Sequence, residues 1–192
     1  AFGRPVAAPS ANPSGRISPT RAEHVLAGLG GRIELVLDGG PCESGVESTV
    51  IDCTGDTAYI LRPGGITREA VAATLAARGM TLASESPPTD EDGPASPGQL
   101  ASHYAPSAPV RLNITAPEPG MELIGFGETG GAGELGLNLS PEGDLQEAAA
   151  NLFDMMHAAD ATGAAIIGVA PVPGTGLGEA VNDRLRRAAA PR

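Results

Sequence analysis

Apolar residues recur along this chain at two spacings, one helical and one alternating. Between Thr67 and Arg78, Val71, Leu75 and several alanines fall on one helical face; Thr67 stands as the cap and Gly79 as the stop. Between Asp144 and Asp160, Leu145, Ala149, Leu152, Phe153 and Met156 repeat the pattern, with Asp144 and Glu147 in capping-box register. Thr20 and Glu23 have the same register, which predicts a helix buried through Val25, Leu26 and Leu29 and left through Gly28, Gly30 and Gly31. A last helix is predicted from Gly178 to Ala190. Short apolar runs predict strands at 34–37, 48–53 and 58–61, the latter two joined as a hairpin through Thr54, Gly55 and Asp56. Further strands are predicted at 110–112, 121–126, 135–139 and 165–169. The alternation of strand and helix beyond residue 110 predicts a small parallel-sheet α/β domain.

From 84 to 109 the pattern breaks. Prolines at 87, 88, 94, 97, 106 and 109 and acids at 85, 90, 91 and 92 predict a linker between units at 1–83 and 110–192. Its later part, 96–106, carries Gly98, Leu100, His103 and Tyr104, more specific chemistry than a spacer needs, and reads as a lid. Aromatics make up only 3%, so the core must be built from Ala, Val, Leu and Ile. The net charge is −11 and every cation is an arginine, which argues against a broad nucleic-acid surface. Arg184, Arg186, Arg187 and Arg192 read as favourable charge at the end of a helix. No apolar run approaches the ~20 residues of a membrane span, and the first residues lack the apolar core of a signal peptide. A cytoplasmic protein is expected.

Candidate chemistry starts in the loop at 8–20, where Ser10, Ser14 and Ser18 offer hydroxyls and Arg16 a guanidinium. Prolines 9, 13 and 19 restrict that loop before any anion arrives. Gly125, Gly127 and Gly130 match a dinucleotide spacing but lead toward a strand rather than a helix, so they read as a loop. Gly174, Gly176 and Gly178 read as close backbone packing before a helix. A hydrolase lacks its elbow motif, with hydroxyls beside carboxylates at 43–49 but His24 and His157 expected as surface helix residues. Cys42 and Cys53 lack metal or redox spacing.

In order along the chain stand the serine loop, Leu37-Asp38-Gly39-Gly40-Pro41, Gly45-Val46-Glu47-Ser48-Thr49-Val50, Leu61-Arg62-Pro63-Gly64-Gly65 and Ser102-His103-Tyr104-Ala105-Pro106. Together with the closing helix these resemble the two-domain threonylcarbamoyl-adenylate synthases of the YrdC type. The resemblance implies the second half of a YrdC-like twisted α/β domain at 1–83, the linker, and the small C-terminal domain. It implies condensation of ATP, L-threonine and bicarbonate to threonylcarbamoyl-adenylate and pyrophosphate. Downstream threonylcarbamoyl transferases would pass the product to adenosine 37 of tRNA. Ser10, Ser18, Arg62 and Tyr104 are implied on the ATP side, with Asn12 ordering the loop or meeting the nucleotide. Ala8 and Ser48 are implied on the threonine side, and Mg²⁺ is expected to arrive with ATP. No residue is expected to act as a catalytic acid or base, since carbamate attack on phosphorus needs mainly positioning and charge neutralisation.

The family carries a basic nucleotide-binding motif ahead of the serine loop, and nothing at 1–7 matches it. The expectation is a C-terminal fragment lacking the first half of the synthase domain and inactive alone. Two other readings stand beside it: a non-catalytic nucleotide-binding or regulatory module, and the related carbamoyl-adenylate synthase of hydrogenase maturation.

Overall fold

The computed structural model describes residues 3–84 and 102–191. A hairpin of β1 (Val50–Asp52) and β2 (Thr57–Arg62) pairs antiparallel, as the sequence predicts. Thr67 accepts a hydrogen bond from the Ala70 N–H and starts α2 (Arg68–Ala76), which buries Val71 and Leu75 against Ala58 of β2. The chain returns as β3 (Thr81–Leu82), parallel to β2, so the first sheet is mixed with order β1-β2-β3. The second sheet is wholly parallel: β4 (Val110–Leu112) and β5 (Met121–Ile124) flank β6 (Ile166–Val169). Two helices, α3 (Leu145–Ala161) and α4 (Leu177–Ala189), pack against each other and against this sheet. No helix among the described residues is long and apolar enough to cross a membrane.

Tertiary context overrides the sequence pattern in five places. The strand expected at 34–37 does not form: no described strand pairs with it, and Leu35 and Leu37 stand 74% and 86% exposed. The first helix, α1 (Ala22–Leu29), starts after Arg21 without a side-chain cap and buries none of its residues; Leu26 is exposed. Thr20 instead meets the His24 ring and the Asp154 carboxylate. Residues 135–139 form only an isolated bridge, Gly125 with Asn138, although Leu139 is fully buried. In α3, Asp144 caps the N–H groups of Gln146 and Glu147, but Glu147 accepts from the Ser140 hydroxyl rather than closing a capping box. His24 and His157 are not independent surface residues: their rings stack with centroids 3.8 Å apart and join α1 to α3.

The segment at 102–109 is a packed strap rather than a spacer. Its Ala105 N–H donates to the Gly15 carbonyl and its His103 N–H to the Arg187 carbonyl, while Tyr104, Ala105 and Pro106 are buried. One hydrophobic cluster accordingly runs from Ile17 and Val46, through Tyr104, to Leu152 and Phe153 of α3 and Val181 and Leu185 of α4. The lid expectation at 96–106 lies outside the described residues for 96–101.

Candidate functional site

The serine loop is held from within. The Asn12 side-chain amide donates to the Arg16 and Ile17 carbonyls at 3.0 and 3.2 Å, and Gly15 turns the chain at φ +80°. This closure brings buried Ser18 to the segment 45–47, where its hydroxyl donates to Glu47 Oε1 at 2.7 Å.

Two glycines fix that neighbouring segment. Gly45 has φ +67°, and a Cβ there would lie 2.0 Å from the Ala149 carbonyl oxygen, so only glycine lets this segment lie on α3. A Cβ on Gly64 would lie 2.3 Å from the Glu47 carbonyl oxygen, and the Gly65 N–H donates to that same oxygen. The motifs at 45–50 and 61–65 are thereby pressed together, and the Arg62 guanidinium donates through Nε and Nη2 to the Ser48 carbonyl at 3.3 and 2.9 Å.

Glu47 is the centre of a charged network. Its Oε2 accepts from Nε of Arg184 at 2.8 Å; Arg184 Nη1 donates to the Pro63 carbonyl at 2.9 Å and to Asp183 at 2.7 Å. The Arg184 side chain is 0% exposed and lies 5.2 Å from the Tyr104 ring centroid. Burial alone would push the Glu47 carboxyl up, but the Arg184 charge and the hydrogen bonds from Ser18 and Arg184 outweigh it and hold it below the usual range. Glu47 is therefore ionised at neutral pH. Burial raises the Tyr104 phenol and lowers the His103 ring, so both are neutral there.

These elements enclose a cleft of about 290 Å³ lined by, among others, Ser10, Ser18, Thr20, Ser44, Glu47 and Phe153. Of the residues singled out from the sequence, Ser10 and Ser18 line it, and Asn12 braces the loop that carries them. Arg62 and Ser48 are brought to each other rather than to the cleft, Ala8 is exposed apart from it, and Tyr104 is 1% exposed with φ +60°, packed on Phe153. Among the described residues no three His, Cys, Asp or Glu side chains converge as a cation site. The wall mixes the hydroxyls of Ser10, Ser18, Thr20 and Ser44 with the apolar Ala11, Pro19, Val46 and Phe153, and the one carboxylate that lines it, Glu47, is already paired.

Sequence reasoning missed Glu47 and Arg184. The reading of Arg184 as end-of-helix charge is corrected by its complete burial. A signal was present: on α4, Ala180, Val181, Leu185 and Ala188 form the buried stripe, and Arg184 falls inside it.

Comparison with known proteins matches residues 66–190 to the family described as threonylcarbamoyl-AMP synthase, C-terminal domain, and residues 1–64 to a family described as telomere recombination. A threonylcarbamoyl-AMP synthase of Bacillus subtilis is 38% identical over 99% of this chain and 58% of its own length. One from Pyrococcus abyssi is 39% identical over 96% of this chain and 58% of its own. The crystal structure of P. abyssi Sua5 complexed with L-threonine superposes with a TM-score of 0.76 at 35% identity, covering 97% of this chain and 58% of that one. The chain thus spans 58% of the length of these relatives.

Proposed function

Since the chain belongs to the threonylcarbamoyl-AMP synthase family, we propose that it supplies the serine-loop side of a site that joins ATP, L-threonine and bicarbonate. The observation that carries this reading is the closure of the serine loop onto the segment 45–47 around one cleft, with the turn at 61–65 packed against Glu47 from outside it. In the proposed reaction the threonine amino nitrogen bonds to the bicarbonate carbon, one C–O bond breaks, and water leaves, giving a carbamate. A carbamate oxygen attacks the α-phosphorus of ATP, the bond to the β-phosphate bridging oxygen breaks, and pyrophosphate leaves. Ser10 and Ser18 orient phosphate oxygens, and Arg62 holds Ser48 in place on the threonine side. Tyr104 and Asn12 support the nucleotide side from behind the loop.

Mg²⁺ accompanies ATP in this reading and lowers the charge on the phosphates. The cleft offers hydroxyls and a single paired carboxylate, a donor set that fits an ion held through phosphate oxygens and water. The product is a reactive acyl-adenylate, whose consumption belongs to a transferase acting on tRNA, and a cytoplasmic location goes with this reading.

L-Threonine binding tests this reading. Titration calorimetry on the 192-residue chain is expected to show saturable binding of L-threonine and at least tenfold weaker binding of D-threonine. Equal heats for both enantiomers, or none for either, would remove the threonine side of the proposal.

A further inference from the structure

Among the described residues four arginines, Arg21, Arg68, Arg184 and Arg187, face carboxylates through Nε, and Arg21 and Arg68 close a fork. Arg21 holds Asp154 through Nε and Nη2, and Arg68 holds Glu179 through the same two nitrogens. Arg184 holds Glu47 through Nε alone. Its Nη2 lies on the same edge of the guanidinium plane, is buried, and has no hydrogen-bond partner among the described residues. On the other side of the carboxylate Glu47 Oε1, the oxygen that would complete the fork, accepts from the Ser18 hydroxyl. Leaving a buried guanidinium N–H unsatisfied is costly, and Nη1 already serves Pro63 and Asp183.

We propose that Glu47 and Arg184 form a latch on Ser18: in the empty site Glu47 holds the serine hydroxyl, and when a phosphate oxygen takes that hydroxyl, Glu47 completes its fork on Arg184. The exchange conserves hydrogen bonds. Ser18 trades one anionic acceptor for another, and Glu47 Oε1 trades the hydroxyl for the idle Nη2. Arg184 is thus a positioning residue, reaching from α4 of the C-terminal unit to set the availability of a hydroxyl in the serine loop. It also neutralises Glu47, which would otherwise repel an incoming polyphosphate across the cleft. The ligand class is a nucleoside triphosphate, so the inference rests on the nucleotide side of the reading above.

Two measurements test it. In a crystal structure of the Ser18→Ala variant, free of ligand, both Glu47 oxygens should lie within hydrogen-bond distance of Arg184, one on Nε and one on Nη2. An Nη2 that stays without a partner there would overturn the latch. The second is a double-mutant cycle on MgATP affinity, titrated against the chain joined to the portion of its Bacillus subtilis relative that it does not span. Arg184→Lys keeps the charge but cannot make a fork, and should weaken MgATP binding about tenfold. In the Ser18→Ala background the same substitution should change affinity less than twofold, because there is no hydroxyl left to release. A merely structural Arg184 would lower the melting temperature and leave the same affinity factor in both backgrounds, which contradicts the proposal. If the unsubstituted joined protein does not bind MgATP while Ser18→Ala closes the fork, the nucleotide reading fails and the hydrogen-bond exchange stands as a property of the empty protein.

Discussion

Arg184 lies on α4 among Ala180, Val181, Leu185 and Ala188, and its charge is stabilised by contacts made far away in sequence, at Glu47 and Pro63. That distance is why the residue was illegible as part of a site. A run of arginines near a chain end has a sufficient local explanation in the helix dipole, and only the fold reveals the partner. Ser18, by contrast, was legible, because hydroxyls between prolines constrain their own loop. The energetic consequence separates this ion pair from the others. Removing one partner of a buried pair leaves an uncompensated charge, so Glu47→Ala should cost about 3 kcal/mol of unfolding free energy. The Arg111–Glu118 pair is nearly half exposed at both side chains, 47% each, and Glu118→Ala should leave stability within about 0.5 kcal/mol of the parent. Urea denaturation of the two variants checks the contrast; equal effects would mean that Glu47 is not the counter-ion Arg184 depends on.

Among the elements, α2 and α3 were readable because each carries its own start signal: the Thr67 side chain caps Ala70, and Asp144 caps Gln146 and Glu147. The strand expected at 34–37 carries only an apolar alternation, which makes a strand when another strand supplies hydrogen-bond partners and a face to cover. No described strand does so. The α1 and α3 helices meet through His24 and His157, a contact no periodicity could show. Burial is the first cause that lowers both rings below the usual histidine range; Asp154 pulls each back up, while His24 lowers His157 and Arg21 lowers His24. Glu23 acts on His24 and Asp160 on His157 in the raising direction. A base whose folded pKa is depressed is bound by more protons in the unfolded chain, so its contribution is complete above about pH 6.5 and is lost as pH falls. The melting temperature should therefore drop between pH 7.5 and 5.5, by about 3 °C more in the parent than in a His24→Asn/His157→Gln variant. Parallel pH profiles for the two proteins would show that the stacked rings take up protons in the folded protein as readily as in the unfolded chain, which contradicts the depression.

At the scale of the whole molecule, the alternation of strand and helix correctly gave a parallel sheet in the C-terminal unit, while the mixed character of the first sheet came from the short β3, too brief to read as a strand. The sequence pattern also divided the chain at a linker. The structure shows that the described end of that linker, Ser102 to Pro109, seats Tyr104 in the same core as Ile17 and Phe153. The serine loop, the strap and α4 therefore share one hydrophobic cluster, and the charged path from Ser18 to Arg184 crosses it. The chain spans 58% of the length of its Bacillus subtilis relative, and the basic nucleotide-binding motif implied by the family resemblance is not matched within it. The most direct test is pyrophosphate release from ATP by the 192-residue chain, alone and joined to the portion of the Bacillus subtilis relative that it does not span. The account predicts no release from the chain alone, and release by the joined protein that requires both L-threonine and bicarbonate. Release by the joined protein that ignores either substrate, or its absence from a folded joined protein, would contradict the account.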